Sequence, residues 1–286
     1  MMNRLMVLVT IAAALVAAEP RLAAAQQVQV TGPLAGEPAV RHMRLYREGR
    51  LQLAPVVSFT LQDEFSQTMF TGAQVAYHFV DWLGVGIWGA FGAAHLETNL
   101  TDEVRGKGQT RQRNAVSLPS GENFPAQIGE LNWAAALQLN FIPLRGKMSL
   151  FQKVFVDTDF YIFAGVAAVG VTERADVESD VCTAAPPAGA GRDNPCIATQ
   201  FASESRVAIA PTFGIGLDFF ISDWVAILFE WRGLPFKWNT SGFDVLGGDD
   251  KTPDGQVDDE DRVFHFNHMV SLGVSFFLPT DAKVSN

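Results

Sequence analysis

The chain is short of charge, of basic residues and of long apolar runs, and each shortage excludes a class of protein. Charged residues make up 18% of its 286 residues, against about 25% in an average soluble protein. Beyond the amino terminus, apolar runs such as Phe160–Val171 are far shorter than the roughly 20 residues that a transmembrane helix needs. The formal net charge of −10 argues against nucleic acid as a partner, because a phosphate backbone needs a basic surface.

Residues 1–25 have the pattern of a secretory signal peptide. Arg4 supplies the positive charge, Leu5–Ala18 the apolar stretch, and Ala23–Ala25 the small residues before cleavage. An amino-terminal membrane anchor is the alternative, but this apolar stretch is short for a membrane span. We therefore expect an exported protein whose mature chain begins with a periplasmic segment over residues 26–48.

Alternation of apolar with small or polar residues predicts eight β-strands in the mature chain. It is clearest over Val207–Ile221, where every odd position is apolar and most even positions are Ala, Gly, Thr or Asp. A strand that crosses a membrane shows this period of two, with its apolar side chains towards lipid. The predicted strands are Leu51–Leu61, Met69–Phe79, Leu83–His95, Leu131–Phe141, Asp159–Val171, Val207–Ile221, Val225–Trp231 and His268–Leu278. The sequence leaves open which face of Asp159–Val171 points outward.

The connections between these strands alternate between short and long. Asp81-Trp82 and Ser222-Asp223 are two-residue turns, whereas long loops follow the third, fifth and seventh strands. Outer-membrane barrels have short periplasmic turns and long external loops. We therefore predict an all-β protein, an eight-stranded antiparallel transmembrane β-barrel over residues 49–279 with a carboxy-terminal tail over 280–286.

A soluble barrel or sandwich would also alternate, but with its apolar face turned inward. Its other face would be rich in Lys, Glu and Thr, whereas here that face is mostly Gly, Ala, Ser, Asn and Gln, which suits a narrow filled lumen. Aromatic residues also collect near the strand ends, as interfacial girdles require. They are Tyr77, Phe79, Trp82, Phe219, Phe220, Trp224, Phe236, Trp238, Phe264 and Phe266. The membrane barrel is therefore favoured.

Six short segments follow one another along the chain: Arg44–Arg47, Gly49–Pro55, Asp63–Phe65, Gly146–Phe151, Asp159–Tyr161 and Gly273–Pro279. In content and order they resemble the outer-membrane β-barrel domain family found mainly in myxobacteria and related bacteria. The resemblance covers residues 41–279 and implies the fold and an outer-membrane location, but no catalytic residues. Size and strand count are also similar to those of small OmpA-type barrels. The final strand, Ser271–Leu278, resembles the terminal signal read by the outer-membrane insertion machinery.

An acidic loop before the last strand has the spacing of a calcium-binding EF-hand loop. Oxygen-bearing side chains fall at its positions 1, 3, 5, 9 and 12, which are Asp250, Thr252, Asp254, Asp258 and Asp261. Gly255 stands at position 6, where the sharp bend occurs. Asp261 in place of the usual Glu weakens bidentate ligation. Calcium is thus the one cofactor that the sequence suggests, and the alternative is a solvated acidic loop that faces divalent ions and lipopolysaccharide.

Cys182 and Cys196 are the only cysteines and fall in one outer loop. In an exported chain such a pair is predicted to form a disulfide. Closing a loop of this length stabilises the fold by roughly 3 kcal/mol.

A polar network is predicted inside the barrel. Glu230 and Arg232 point inward on the seventh strand, with Asp218, His78 and Gln74 on inner faces nearby. The network is either a gate on an ion path or a structural plug of ion pairs. Eight strands enclose an interior just wide enough for side chains to fill, which favours the plug.

The sequence gives little support to catalysis. His95 and His265 lie near the outer half, but neither has an evident carboxylate and Ser arrangement. The predicted role is structural, anchoring or binding of an envelope partner through the loops, and the alternative is a narrow channel for ions or small solutes. Two basic segments remain. We interpret Arg41–Arg50 as a solvated periplasmic turn, with lipid phosphates or a partner as alternatives, and the link around Arg145, Lys147 and Lys153 as a short amphipathic helix.

Overall fold

The computed structural model describes residues 47–61, 63–107, 121–150, 154–175, 202–245 and 256–281. The predicted signal peptide, both cysteines and the first three calcium positions lie outside these ranges. Within them, no helix is long and apolar enough to cross a membrane.

Eight antiparallel strands form a closed barrel in which each strand pairs with its sequence neighbours and the first pairs with the last. They are β1 (Leu51–Leu61), β2 (Ser66–Val80), β3 (Leu83–Glu97), β4 (Glu130–Leu150), β5 (Val154–Arg174), β6 (Ser203–Phe220), β7 (Val225–Trp238) and β8 (Val263–Leu278). The predicted fold class is confirmed. Closure leaves no edge along the barrel wall, which is what a sheet in lipid requires.

Side chains alternate between the lumen and the outer wall along each strand. On β6, Ala208, Ala210 and Thr212 are buried while Val207 and Ile209 are exposed. The same alternation settles the facing of β5, whose odd-numbered residues from Asp159 to Val171 point inward. Tyr161 and Phe163 therefore lie in the lumen.

The largest difference from the sequence prediction is at β4 and β5. These strands continue well past Phe141 and start well before Asp159, and they pair with each other from Leu144 opposite Phe160 to Leu150 opposite Val154. The predicted amphipathic helix in this link is wrong. This two-stranded extension lies outside the barrel and does not separate lipid from a lumen. Its side chains therefore need not alternate between apolar and polar, and a sequence pattern of period two cannot reveal it.

Short helices and aromatic side chains close the end of the barrel that carries the long loops, here called the outer end. Helix α1 (Asn99–Lys107) and a 3-10 helix (Gly121–Ala126) follow β3, and a second 3-10 helix (Asp259–Asp261) precedes β8. Phe65, Phe124 and Phe243 pack together there with ring centroids 5.2 to 6.5 Å apart. The opposite end, with the two-residue turns, is called the inner end.

Candidate functional site: the filled lumen and the outer rim

The outer wall of the barrel is apolar all round. Large apolar side chains stand exposed on every strand, among them Phe59, Val75, Ile87, Phe91, Leu139, Val166, Ile209, Ile215, Phe229 and Leu272. Phe91 is 73% and Ile209 69% exposed, and a soluble monomer rarely exposes contiguous apolar surface of this extent. Trp82, Trp224 and Phe79 mark the inner-end border of this surface. The protein is a membrane-spanning barrel, and single-chain barrels of this kind reside in the bacterial outer membrane.

The inner end of the lumen is filled by an arginine from outside the strands. Arg47 donates from Nε to Asp159 Oδ2 at 2.6 Å and from Nη2 to Asp218 Oδ2 at 2.8 Å. Its guanidinium carbon also lies 4.6 Å from the ring centroid of Phe277. All three charged side chains are buried. We call Arg47, Asp159 and Asp218 the inner ion layer.

The local chain path explains how Arg47 enters the barrel. Its main-chain N–H donates to Asp81 Oδ1 at 2.8 Å. Gly49 then turns the chain into β1 with a φ of 73°, a left-handed conformation that glycine adopts without strain. The interpretation of Arg41–Arg50 as a solvated turn is wrong for Arg47 and Arg50, which are both buried.

Neutral side chains complete the inner ion layer. Ser275 Oγ donates to Asp218 Oδ1 at 3.1 Å, and Gln52 Nε2 donates to Ser275 Oγ at 2.9 Å. Gln52 Oε1 lies 3.2 Å from His78 Nε2. The space bounded by Gln52, His78 and Tyr161 is too small to hold a water molecule. His78 and Asp218 thus lie in one network, whereas both polar side-chain atoms of the buried Gln74 have no hydrogen-bond partner among the described residues.

A second ion pair lies at mid-height in the lumen. Arg232 Nη2 donates to Glu230 Oε1 at 2.7 Å and to Gln138 Oε1 at 2.7 Å. Tyr161 donates its hydroxyl hydrogen to Glu230 Oε2 at 2.8 Å. The rings of Trp88 and Phe163 have their centroids 4.4 and 4.3 Å from the guanidinium carbon of Arg232. This middle ion layer is fully buried and stacked, a setting that strengthens a cation–π contact.

The outer half of the lumen is mostly apolar, with the polar side chains of Ser58, Thr68 and Asn267 buried among the apolar ones. Buried side chains from six strands fill it, and they are Val56, Phe70, Leu131, Val169, Val171, Leu234, Phe236, Trp238 and Met269. The lumen therefore consists of two ion layers under an apolar layer, as expected for an eight-stranded barrel with a filled interior.

Charged side chains tie the outer loops to the rim. The carboxylate of Glu173 accepts from Arg206, from Arg262 and from the main-chain N–H of Asn239. Arg174 donates to the Gly242 carbonyl at 2.7 Å. These contacts join β5, β6, β7 and the start of β8 above the apolar layer.

The described part of the acidic loop is folded against this rim. Asp261 accepts main-chain hydrogen bonds from Val245 at 2.6 Å and from Asp258 at 3.0 Å, and Asp258 caps the 3-10 helix. Among the described residues no three His, Cys, Asp or Glu side chains are placed to hold a metal ion. Because Asp250, Thr252 and Asp254 lie outside these residues, calcium stays a prediction.

A cavity of about 240 Å³ opens at the outer end beside this loop. Phe65, Trp238, Phe243 and His265 line it together with Glu64. An adjoining, smaller cavity reaches Asp63, where burial raises the pKa of the carboxyl to about 6 against an opposing hydrogen bond from Thr60. The outer rim is thus aromatic and acidic.

Among the histidines that the structure describes, His95 comes nearest to a catalytic arrangement. Its Nδ1 lies 3.2 Å from the Thr68 hydroxyl, and its Nε2 lies 4.0 Å from Glu130. That separation exceeds hydrogen-bond length, and Thr68 is buried towards the lumen. The Thr68 hydroxyl is therefore not presented to solvent in this arrangement.

No protein-family model matches the chain, and no curated protein matches it. Among solved structures, the N-terminal β-barrel domain of Pseudomonas aeruginosa OprF is similar at 10% identity over 81% of this chain and 98% of that chain, with a TM-score of 0.40. OprG from the same organism matches at 10% identity over 82% and 97%, with a TM-score of 0.39. Ail of Yersinia pestis matches at 11% identity over 81% and 99%, with a TM-score of 0.33. Because these TM-scores are below 0.5, the fold assignment rests on the closed strand ladder.

Proposed function

We propose that this protein is a non-conducting outer-membrane barrel that anchors its loops and termini in the envelope. The observation that carries the proposal is the lumen, which is occupied from the inner end to the outer rim. A conducting path would require both ion layers and the apolar layer to move aside together. The narrow-channel alternative has no such support.

The outer rim is proposed as the surface through which the barrel engages its surroundings. Its aromatic cavity and the described part of its acidic loop lie at the outer end, where lipopolysaccharide and envelope partners would meet the barrel. The same proposal includes export by a signal peptide over residues 1–25 and delivery by the insertion machinery. It also includes a Cys182–Cys196 disulfide and membership of the myxobacterial barrel family.

Reconstitution in planar bilayers tests the proposed function. We expect no single-channel currents from the folded protein, because buried side chains of the described residues fill each layer of the lumen. Heat-modifiable migration on a denaturing gel verifies that the reconstituted sample is folded. Discrete, reproducible conductance steps from that sample would favour the channel instead.

Calcium is proposed to order the acidic loop. Titration calorimetry is expected to show a saturable heat at millimolar Ca²⁺ that Asp254→Asn removes, since the substitution takes one carboxylate from the predicted ligand set. Asp223→Asn, in an inner-end turn, is the matched control. A heat no larger than that of the buffer would exclude the site.

A further inference from the structure

The β4–β5 hairpin extends beyond the rest of the barrel at its inner end. The neighbour on one side, β3, pairs with β4 only as far as Leu83 opposite Phe141. The neighbour on the other side, β6, pairs with β5 only as far as Phe220 opposite Asp157. Beyond these points β4 and β5 continue to pair with each other up to Leu150 opposite Val154. The paired ends of β4 and β5 therefore project beyond the neighbouring strands at the inner end of the barrel.

A β-bulge marks the point where β4 leaves the wall. Phe141 pairs with Ile162 and Leu144 with Phe160, so two residues of β4 oppose Tyr161 alone. The first of them, Ile142, donates its N–H to the Trp82 carbonyl at 2.9 Å, and among the described residues β4 pairs with β3 no further than Phe141. The second, Pro143, has no N–H to donate. Bulges of this kind bend a strand and end pairing on one side.

The free edge of β4 is seven residues long. From Leu144 to Leu150 the strand pairs with β5, and no other described strand pairs with its opposite side. At about 3.3 Å per residue this edge measures roughly 23 Å. Unpaired main-chain groups along such an edge are a template for a further strand.

Arg145 adds a charge that is incompletely paired. Its Nη1 lies 3.4 Å from Asp81 Oδ1, while its Nε and Nη2 are buried without a hydrogen-bond partner among the described residues. Buried guanidinium donors are costly to leave unpaired. The sequence from residue 142 to 158 also holds Lys147 and Lys153 against the single acid Asp157, in a chain with a net charge of −10.

We propose that the β4 edge Leu144–Leu150 is a docking site for an extended acidic peptide segment of a periplasmic protein. The segment adds as a further strand, and one of its carboxylates pairs with the guanidinium of Arg145, whose side chain is 17% exposed. The periplasmic location of the edge rests on the proposed function, which places the short turns inside the cell envelope. An anionic lipid surface fits less well, because headgroups cannot pair with a main-chain ladder.

Peptide binding to the full-length protein in detergent micelles tests this proposal. The probe is a fluorescent heptapeptide of alternating Glu and Val, compared with a twin N-methylated at alternate amides and a twin with Lys in place of Glu. We expect saturable binding of the first and at least ten-fold weaker binding of both twins. Arg145→Gln is expected to weaken binding of the acidic peptide about ten-fold, whereas Arg105→Gln, on the outer-end helix α1, is expected to leave it unchanged.

Three results would overturn the docking edge. They are absence of binding, equal binding of the N-methylated twin, and full competition by phosphatidylglycerol micelles. The last would assign the basic hairpin to lipid. Because the assay reports on solubilised protein, its outcome does not depend on whether the lumen conducts. A failure here is therefore distinguishable from a failure of the proposed function.

Discussion

Replacing Arg47 with Ala is expected to lower the free energy of unfolding by about 3 to 5 kcal/mol, the cost of leaving buried charges without their partner. Asp159 and Asp218 both contact Arg47 and are both buried, so the substitution leaves two carboxylates facing each other. Urea unfolding from lipid vesicles, followed by tryptophan fluorescence, measures the loss.

Two further variants show whether charge is the cause. Arg47→Met with Asp218→Asn removes one charge of each sign and is expected to recover part of the lost stability. Arg105→Ala breaks a solvent-exposed pair with Glu97 and should cost less than about 1 kcal/mol. If Arg47→Ala and Arg105→Ala lowered the free energy of unfolding equally, the inner ion layer would not be a stabilising unit.

Replacing Glu230 with Leu is expected to destabilise the barrel by a similar amount, about 3 to 5 kcal/mol. Arg232 would keep only the neutral acceptors Gln138 and Thr212, and the Tyr161 hydroxyl would lose its acceptor. The charge has no route to water because Arg232 is fully buried. The same unfolding measurement applies.

The matched variant carries Glu230→Leu together with Arg232→Met. Apolar side chains of similar volume often replace a buried ion pair without loss, and Trp88 and Phe163 already provide apolar walls. We expect the double variant to regain most of the stability that Glu230→Leu loses. A double variant as unstable as the single one would show that packing, and not charge pairing, sets the role of this layer.

The number of strands and the facing of most of them follow from the sequence for a physical reason. Lipid on one side and a narrow lumen on the other force apolar and polar side chains to alternate with a period of two. This is why Val207–Ile221 can be predicted as a strand from the sequence alone. The same constraint places Glu230 and Arg232 in one layer, because neighbouring inward positions on a strand are two residues apart.

The inner ion layer could not be read in the same way. Arg47 lies outside every strand, so no alternation assigns it to the lumen, and the basic segment around it suits a solvated turn equally well. One signal was available. The inner faces predicted for Asp218, Glu230 and Arg232 hold two carboxylates for one guanidinium, which leaves one buried carboxylate in need of a cation.

The apolar face of this barrel is turned outward to lipid, around a lumen filled with side chains. Nitroxide labels at Ile209→Cys and Ala210→Cys, each in a chain with Cys182 and Cys196 replaced by Ser, test it directly in reconstituted vesicles. The two residues are adjacent on β6, one exposed and one buried. We predict that oxygen dissolved in lipid relaxes the label at 209 strongly, and that neither oxygen nor a water-soluble nickel chelate relaxes the label at 210. Strong relaxation at 210 by the nickel chelate would reveal a water-filled lumen and contradict the account.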